Sequence, residues 1–260
     1  MLTRFLSLST AGLLLSIALA GCVTTGGVYH KVDIDKAVQT HVQLGIRYLR
    51  SGDNREAARY HFNEALKLGG KHNPQAQQGL ALLYQADGEN DAAEQHYKLA
   101  LRYKSDFSMA HTNYGVFLYQ QERYKEALEQ FKIASEDLDY NRRSFALANY
   151  GRCALKLGKT EAAEEAYTRA LALDKDMPQA LLELADLKFN AGAYAQAKHY
   201  LDRYSADHRQ VPQSLWLGIR LEKIFGNRDK ERSYALALKN LYPYSAETLK
   251  YKKMMANDDG

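Results

Sequence analysis

Apolar and small residues recur along this chain at the spacing of a helix. In residues 93–100, an alanine, a tyrosine and a second alanine follow the pattern A-x3-Y-x2-A. Residues three or four apart share one face of a helix, so the pattern predicts an amphipathic helix. The chain has four prolines in 260 residues and lacks alternating stretches rich in Val, Ile and Thr. These features favour an all-α fold.

The same pattern returns at a nearly constant interval. Its copies begin at Ala58, Ala93, Ala127 and Ala163, which are separated by 35, 34 and 36 residues. The remaining members of the copies are Phe62 with Ala65, Tyr97 with Ala100, Phe131 with Ala134, and Tyr167 with Ala170. A period near 34 residues is typical of the tetratricopeptide repeat, in which two helices form a hairpin.

A partner helix precedes each copy. The partner helices carry Leu44-Gly45 with Tyr48, Leu80 with Tyr84, Tyr114-Gly115, and Tyr150-Gly151. Gly52, Gly88 and Gly158 fall between the two helices of their hairpins. Small residues let two helices approach closely, and the aromatic residue packs against the next hairpin. The pattern therefore predicts stacked helical hairpins.

Two weaker copies extend the series towards the C-terminus. They consist of Leu184, Gly192 and Ala197, then Trp216, Gly226 and Pro243. Degenerate end repeats are expected because they lack a further neighbour. The segment Ser245 to Met255 then reads as a capping helix with Ser245 at its N-cap. We expect a tetratricopeptide-repeat superhelix, an α–α solenoid of about six hairpins plus this capping helix.

The stretch between the third and fourth hairpins is longer than the others. Residues 135–143, Ser-Glu-Asp-Leu-Asp-Tyr-Asn-Arg-Arg, add two residues to the period. They could mark a domain boundary, but no linker rich in Pro, Gly or Ser accompanies them. We expect one continuous solenoid with a lengthened turn at this place.

The first residues have the pattern of an export signal. Arg4 precedes a mostly apolar run, Leu13 to Leu19, which is too short to span a membrane. Leu19-Ala20-Gly21-Cys22 closes the run and resembles the bacterial lipobox. That resemblance implies cleavage after Gly21 and lipid attachment at Cys22. The alternative is an ordinary signal followed by a coincidental cysteine.

The resemblance to lipoproteins also implies a location and a division of the chain. Val23 stands where Asp would imply retention in the inner membrane, so the outer membrane, facing the periplasm, is expected. The predicted division is a signal peptide over residues 1–21, a lipidated tether over 22–36, and the repeat solenoid over 37–260.

Composition and motifs give no sign of catalysis or of nucleic-acid binding. The net charge of +4 is spread through both signs without a basic run, so nucleic acid is not an expected partner. The eight histidines form no H-E-x-x-H pair, so we expect no metal site and no cofactor. Cys153 is the only cysteine besides Cys22 and is expected to be a small buried residue.

One segment resembles a phosphate-binding loop but departs from it. Gly158-Lys159-Thr160 matches the end of that motif, yet Cys153 stands where the motif needs a glycine. A turn between two helices is the better interpretation of Gly158. We therefore expect no catalytic residues in this chain.

The tetratricopeptide resemblance implies which residues line the concave groove. Four positions of each first helix (2, 5, 9 and 12 of the repeat) usually point there. The predicted protein-binding residues are Val42, Ile46, Leu49, Gln78, Leu82, Met109, Val116 and Tyr119. Further along, the same positions carry Arg152, Asp186 and Glu222, so the C-terminal half of the groove has more charge. The alternative is that Val42, Ile46 and Leu49 only pack against the tether or neighbouring helices.

A lipobox that leads into six such repeats resembles the PilF/PilW family of type IV pilus biogenesis lipoproteins. That resemblance implies a monomeric, non-enzymatic pilotin that binds pilus secretin (PilQ-like) subunits. It also implies an outer-membrane lipid anchor that promotes secretin localisation and multimerisation. The alternative function is a lipid-anchored scaffold that organises peptidoglycan or envelope-assembly proteins. An enzyme would need a cluster of titratable residues, which the sequence does not display.

Overall fold

The computed structural model describes residues 33–52 and 54–258, and within these ranges the chain forms thirteen α-helices and no strand. The helices are α1 Ile34–Ser51, α2 Arg55–Gly69, α3 Pro74–Asp87, α4 Asn90–Tyr103, α5 Ser108–Gln120, α6 Tyr124–Glu136, α7 Arg143–Lys156, α8 Thr160–Leu173, α9 Pro178–Asn190, α10 Tyr194–Asp207, α11 Pro212–Ile224, α12 Arg228–Leu241 and α13 Ala246–Asp258. Consecutive helices pack as six hairpins, α1 with α2 through α11 with α12, and α13 packs on the last hairpin. The predicted all-α solenoid is confirmed.

The first helix begins earlier than predicted. Its N-cap is Asp33, whose carboxylate accepts a hydrogen bond from the Lys36 backbone N–H at 3.0 Å. An Asp in this place satisfies one of the free N–H groups of the first turn. The predicted tether over 22–36 was therefore wrong at its end, because residues 34–36 are helical. The predicted signal peptide, Cys22 and the rest of the tether up to residue 32 lie outside the described residues.

The last helix closes the C-terminal end of the stack as predicted. Ser245 is its N-cap, and its hydroxyl accepts a hydrogen bond from the Thr248 backbone N–H at 3.2 Å. The buried Thr248 hydroxyl in turn donates to the Tyr242 carbonyl at 2.7 Å. The first contact caps α13, and the second fixes it to Tyr242 at the end of α12.

A glycine packed on an aromatic ring sets the helix crossing in four of the hairpins. A Cβ atom added to the glycine would lie only 2.6 to 2.9 Å from a ring atom of the second helix. The pairs are Gly45 with Phe62, Gly115 with Phe131, Gly151 with Tyr167, and Gly218 with Tyr234. A side chain at the position of this glycine would force the two helices apart, since packed interiors leave no room for an extra methyl group.

The aromatic ring also joins one hairpin to the next. Phe62 is fully buried, and a Cβ added to Gly79 of the second hairpin would lie 2.2 Å from its ring. The ring is thus held between Gly45 of its own hairpin and Gly79 of the following one. This contact links the internal geometry of a hairpin to the position of its neighbour.

Each hairpin turns through one residue in the left-handed backbone region. These residues are Gly52, Gly88, Glu122, Gly158, Gly192 and Gly226, and they recur every 34 or 36 residues. The interpretation of Gly158 as a helix turn is confirmed by its φ of 71°. Glu122, with φ 58°, is the one non-glycine residue with positive φ in the described part of the chain. It adopts a strained conformation because the repeat geometry requires it.

Charged side chains connect the second helix of one hairpin to the following hairpin. On the second helix, the charge belongs to the residue that follows the first alanine of the repeated pattern. The sign of this charge differs along the stack. The pairs are Arg59 with Asp87 at 2.9 Å, Glu94 with Arg123 at 2.7 Å, Glu164 with Lys188 at 2.5 Å, and Lys198 with Glu222. Each pair joins a hairpin to the next one in the stack.

The junction between the third and fourth hairpins is built differently. Leu128 occupies the position that carries a charge elsewhere, and α6 packs against α7 about as extensively as two helices of one hairpin. The lengthened turn is tied down by Arg143, whose Nε donates to the Ser135 carbonyl at 2.7 Å. The solenoid therefore continues through residues 135–143, as expected.

Glu94 forms the most connected of the charged junctions. Its carboxylate accepts hydrogen bonds from Arg123 and from the Tyr114 hydroxyl at 2.9 Å, and pairs with Lys98 at 2.7 Å. The Arg123 hydrogen bond, with support from Lys98 and Tyr114, lowers the pKa of Glu94 from 4.5 to about 2. The ionised carboxylate thus stabilises the contact between the second and third hairpins.

Replacing Glu122 with glycine should stabilise the protein by about 0.5–1 kcal/mol. The change relieves about 1–2 kcal/mol of left-handed strain and costs about 0.5–1 kcal/mol of backbone entropy. Urea unfolding of the purified protein measures the difference. The matched control, Gln121→Gly, has an ordinary φ of −84° and should destabilise. A destabilised Glu122→Gly variant would show that the turn is not strained.

The effect of Glu94→Gln on stability should depend on pH. Because the folded-state pKa of Glu94 is lowered, its stabilisation is full above pH 4.5 and disappears as the pH falls towards 2. The variant should lose up to about 3 kcal/mol at neutral pH and nearly nothing at pH 2. Thermal unfolding across this range tests it, with exposed Glu129→Gln as the control. A loss that is constant across the range would contradict the assignment.

Candidate functional site

The first helices of the hairpins line the concave side of the superhelix. Consecutive first helices contact one another, as α1 does with α3, α3 with α5, α5 with α7, and α9 with α11. No comparable contact joins two second helices in the part of the chain that the structure describes. The stack is therefore narrower along its first helices, which makes their free side the inner face. Residues from successive hairpins therefore meet on this concave face.

Two of the predicted groove residues lie inside the protein. Val42 is 8% exposed and packs with Val38, Ala65 and Ala76, and Gln78 is 4% exposed. The prediction that these side chains face a ligand needs correction, since their position in the repeat points between the helices of adjacent hairpins. Most of the Val42 side chain therefore packs internally, which was the alternative interpretation.

The other predicted groove residues are partly accessible and share the concave face. Ile46 and Leu49 pack with one side on the core formed around Phe62. Met109 is 41% exposed. The half-buried members are Ile46, Leu49, Leu82, Val116 and Tyr119. Together with Met109 they form an apolar strip along α1, α3 and α5, which we call the apolar strip below.

An open cleft of about 400 Å³ lies beside the start of this strip, between α1 and α3. Its wall combines apolar and amide side chains. The lining residues are Asp35, Val38, Gln39, Val42, Gln43, Asn73 and Gln75. Val42 thus contributes the small exposed part of its side chain to this wall. A cleft with an apolar base and several amide groups suits a polypeptide ligand.

The concave face changes character beyond the third hairpin. The Arg152 guanidinium lies over the Tyr119 ring at 4.1 Å from its centroid. Arg220 pairs with Asp186 at 3.3 Å and stacks on Phe189 at 4.2 Å. The predicted increase in charge along the groove is thus seen for Arg152 and Asp186. We call this region the charged section.

Glu222 does not belong to the concave surface, although its repeat position predicted it there. It is 2% exposed and pairs with Lys198 of α10. Its carboxylate connects the fifth and sixth hairpins and is not available to a ligand. The prediction for Glu222 is corrected because an interhairpin partner on α10 turns the side chain inward.

The sequence pattern missed several residues of the concave face. Phe189 occupies the same repeat position as Tyr119 and could have been found by the same rule. Arg220 falls outside the four groove positions, so only the structure locates it. A hydrogen bond of 2.8 Å from the Gln85 amide to Gln120 also crosses the face between the second and third hairpins.

The described residues contain little that could carry out chemistry. Cys153 is buried, and burial raises the pKa of its thiol to about 12, so it remains a neutral thiol. Over residues 33–52 and 54–258, no group of three or more His, Cys, Asp or Glu side chains could hold a metal ion. None of the helices in these ranges has the length and apolar character needed to cross a membrane.

Comparisons with known proteins agree with the fold and identify relatives. Tetratricopeptide-repeat family models match residues 42–106, 106–176 and 154–217. The type IV pilus assembly protein PilF of Pseudomonas aeruginosa is 38% identical over 237 residues, which cover 90% of this chain and 93% of that protein.

Two solved structures extend this similarity to three dimensions. A structure of Pseudomonas aeruginosa PilF matches with a TM-score of 0.81 at 36% identity, covering 85% of this chain and 99% of that one. A structure of PilW, described as a type IV pilus biogenesis factor, matches with a TM-score of 0.69 at 31% identity. That match covers 83% of this chain and 98% of the PilW chain.

Proposed function

Because this chain belongs to the family of type IV pilus biogenesis proteins that includes PilF, we propose that it is a pilotin for the pilus secretin. In this proposal it binds PilQ-like secretin subunits in the periplasm. A lipid on Cys22 anchors it to the outer membrane, where the subunits assemble into their multimer. The likeness to PilF over almost the full length of both chains is the observation that carries the proposal.

The apolar strip is the surface that we assign to secretin binding. Exposed apolar side chains arranged along adjacent helices usually mark a protein-binding site. The strip follows three consecutive first helices, so it offers a line of apolar contacts to an amphipathic helix or an extended segment. Its neighbouring cleft supplies amide groups that can satisfy the polar atoms of such a ligand.

The proposed anchor and the strip lie close together along the chain. Ten residues, 23–32, separate Cys22 from the N-cap of α1. Covalent geometry limits their reach to about 35 Å. A secretin subunit held on the first hairpins would therefore stay near the membrane surface. Binding and anchoring are thus coupled by a short connection, and the protein need not make or break any bond of its cargo.

Replacing Cys22 with alanine should abolish lipid attachment and leave the secretin unassembled or in the inner membrane. The repeats should still fold, because their helices begin only at Ile34. Membrane fractionation and detergent-resistant secretin multimers on gels measure the outcome. Cys153→Ala, which removes the other cysteine, is the control and should preserve multimers. Normal outer-membrane multimers in the Cys22→Ala strain would contradict the proposal.

Replacing Ile46 with aspartate should lower the affinity for the periplasmic region of the secretin at least about tenfold, since a buried apolar anchor is worth about 1.4 kcal/mol or more. Met109→Asp tests the strip at a more exposed position, where folding is less affected. Leu173→Asp, on an exposed site of α8, is the matched control. Calorimetric titration and thermal unfolding are the measurements.

Unchanged secretin affinity in both strip variants would refute the assignment of the strip. If a deletion strain kept normal secretin multimers but lost its normal cell shape, an envelope-assembly scaffold would replace the pilotin proposal.

A further inference from the structure

The charged section of the concave face contains a guanidinium without a bonding partner. Arg152 of α7 is half-buried, and its Nε atom is shielded from solvent and has no hydrogen-bond acceptor. The side chain forms no hydrogen bond or ion pair with any residue of the described ranges. Its one contact of note is the Tyr119 ring, which supports the flat face of the guanidinium. The N–H groups at the edge are left without an acceptor.

A carboxyl group without a partner lies on the adjacent first helix. Glu183 of α9 is half-buried, and within the described chain it neither accepts a hydrogen bond nor forms an ion pair. Burial and the nearby Asp186 charge raise the pKa of Glu183, while the Arg152 charge opposes them. Arg152 is therefore close enough to influence Glu183, but the two side chains form no ion pair.

The neighbouring charges do not compensate this carboxyl group. Asp186 is engaged by Arg220 at 3.3 Å and by the Asn190 amide at 3.2 Å. Arg220 is held further by stacking on Phe189 and Trp216. Both oxygens of Asp186 are thus engaged, while the Nε of Arg220, like that of Arg152, is buried without an acceptor. Glu183 and Arg152 remain as an acceptor and a donor without a partner on adjacent first helices.

A cleft of about 390 Å³ opens beside Glu183 and Asp186. Its apolar wall comes from Leu155, Leu187 and Ala191, and Glu183 and Asp186 form the polar side. Thr160 and Asn190 complete the lining.

We propose that this part of the groove binds an extended polypeptide segment through its main chain. Arg152 donates to a carbonyl oxygen of the segment and Glu183 accepts from an N–H group. A peptide group supplies both partners and carries no net charge. A free anion would meet Glu183 and Asp186, and a basic side chain would meet Arg152 and Arg220. An uncharged peptide group can offer its carbonyl to Arg152 and its N–H to Glu183, and none of the four charged side chains repels it.

This inference rests on the proposed function for the identity of the segment. The charged section continues the apolar strip directly, because Tyr119 belongs to the strip and also supports Arg152. The segment is therefore expected to belong to the same secretin subunit that the apolar strip holds. The apolar strip would select the ligand through the ligand's side chains. The charged section would bind the ligand's main chain largely independently of the ligand's sequence.

Photo-crosslinking in living cells tests the site on the full chain. The probe is p-benzoylphenylalanine at position 155, in the cleft, introduced into the wild-type protein and into an Arg152→Ala or Glu183→Gln background. Lys156→Ala and Glu161→Gln, at exposed sites nearby, are the matched controls. Mass spectrometry identifies the attached segment. Each test variant should reduce crosslinking about tenfold, as expected for a hydrogen bond to a charged group, and the controls should not.

A secretin segment that is lost in both test variants would support this site and the pilotin proposal together. Another polypeptide that is lost in both variants would support the site and refute the secretin as its ligand. No crosslinked segment, or one that both test variants leave unchanged, would overturn the inference. It would also be overturned if replacing a single Lys or Arg of the segment with alanine abolished crosslinking, because a charged side chain would then be the recognised group. Thermal unfolding of each variant verifies that the repeats remain folded.

Discussion

The contact between an aromatic ring and a bare helix backbone governs the geometry of this protein. In four hairpins a glycine of the first helix accepts the ring of the second helix at a distance that excludes any side chain. Phe62 extends the same contact to the next hairpin through Gly79. Because the crossing distance and the position of the neighbour depend on one buried ring, hairpins repeat with little variation. The concave face is the sum of those repeated placements.

Charged pairs add specificity to this steric framework. The charge that follows the repeated alanine is positive in the first hairpin, negative in the second and fourth, and positive in the fifth. Some wrong neighbours would meet like charges, as Arg59 would beside Arg123, which disfavours those misassemblies. The third hairpin relies instead on Leu128 and on the close packing of α6 against α7. The lengthened turn there changes the junction without interrupting the superhelix.

Much of this architecture was predictable because it follows from local patterns. The period, the turn glycines and the Ser245 cap each depend on residues close together in sequence. The predicted start of α1 was too late, because the composition of the preceding residues indicated a tether, whereas Asp33 caps a helix that begins at Ile34. Glu122 was not identified as a turn residue, since the hairpin forces a conformation that glutamate rarely adopts.

The groove was harder to predict because it depends on contacts between hairpins. Val42, Gln78 and Glu222 occupy groove positions, yet neighbouring helices bury all three. Arg220 reaches the face from outside those positions and completes the pair with Asp186. The consequence is a two-part surface, with apolar side chains over the first three hairpins and stacked guanidinium groups beyond them. Such a division suits a long ligand that is recognised by its side chains at one end and bound by its main chain along the rest.

The central proposal is that the concave first helices, and not the convex second helices, bind the secretin. Hydroxyl-radical footprinting of the purified protein, with and without the secretin periplasmic region, measures side-chain accessibility on both faces at once. The account predicts that Met109, Tyr119 and Phe189 lose reactivity on binding, while Tyr60 and Leu173 on second helices do not. Protection of Tyr60 and Leu173 with unchanged reactivity at Met109 and Tyr119 would contradict it.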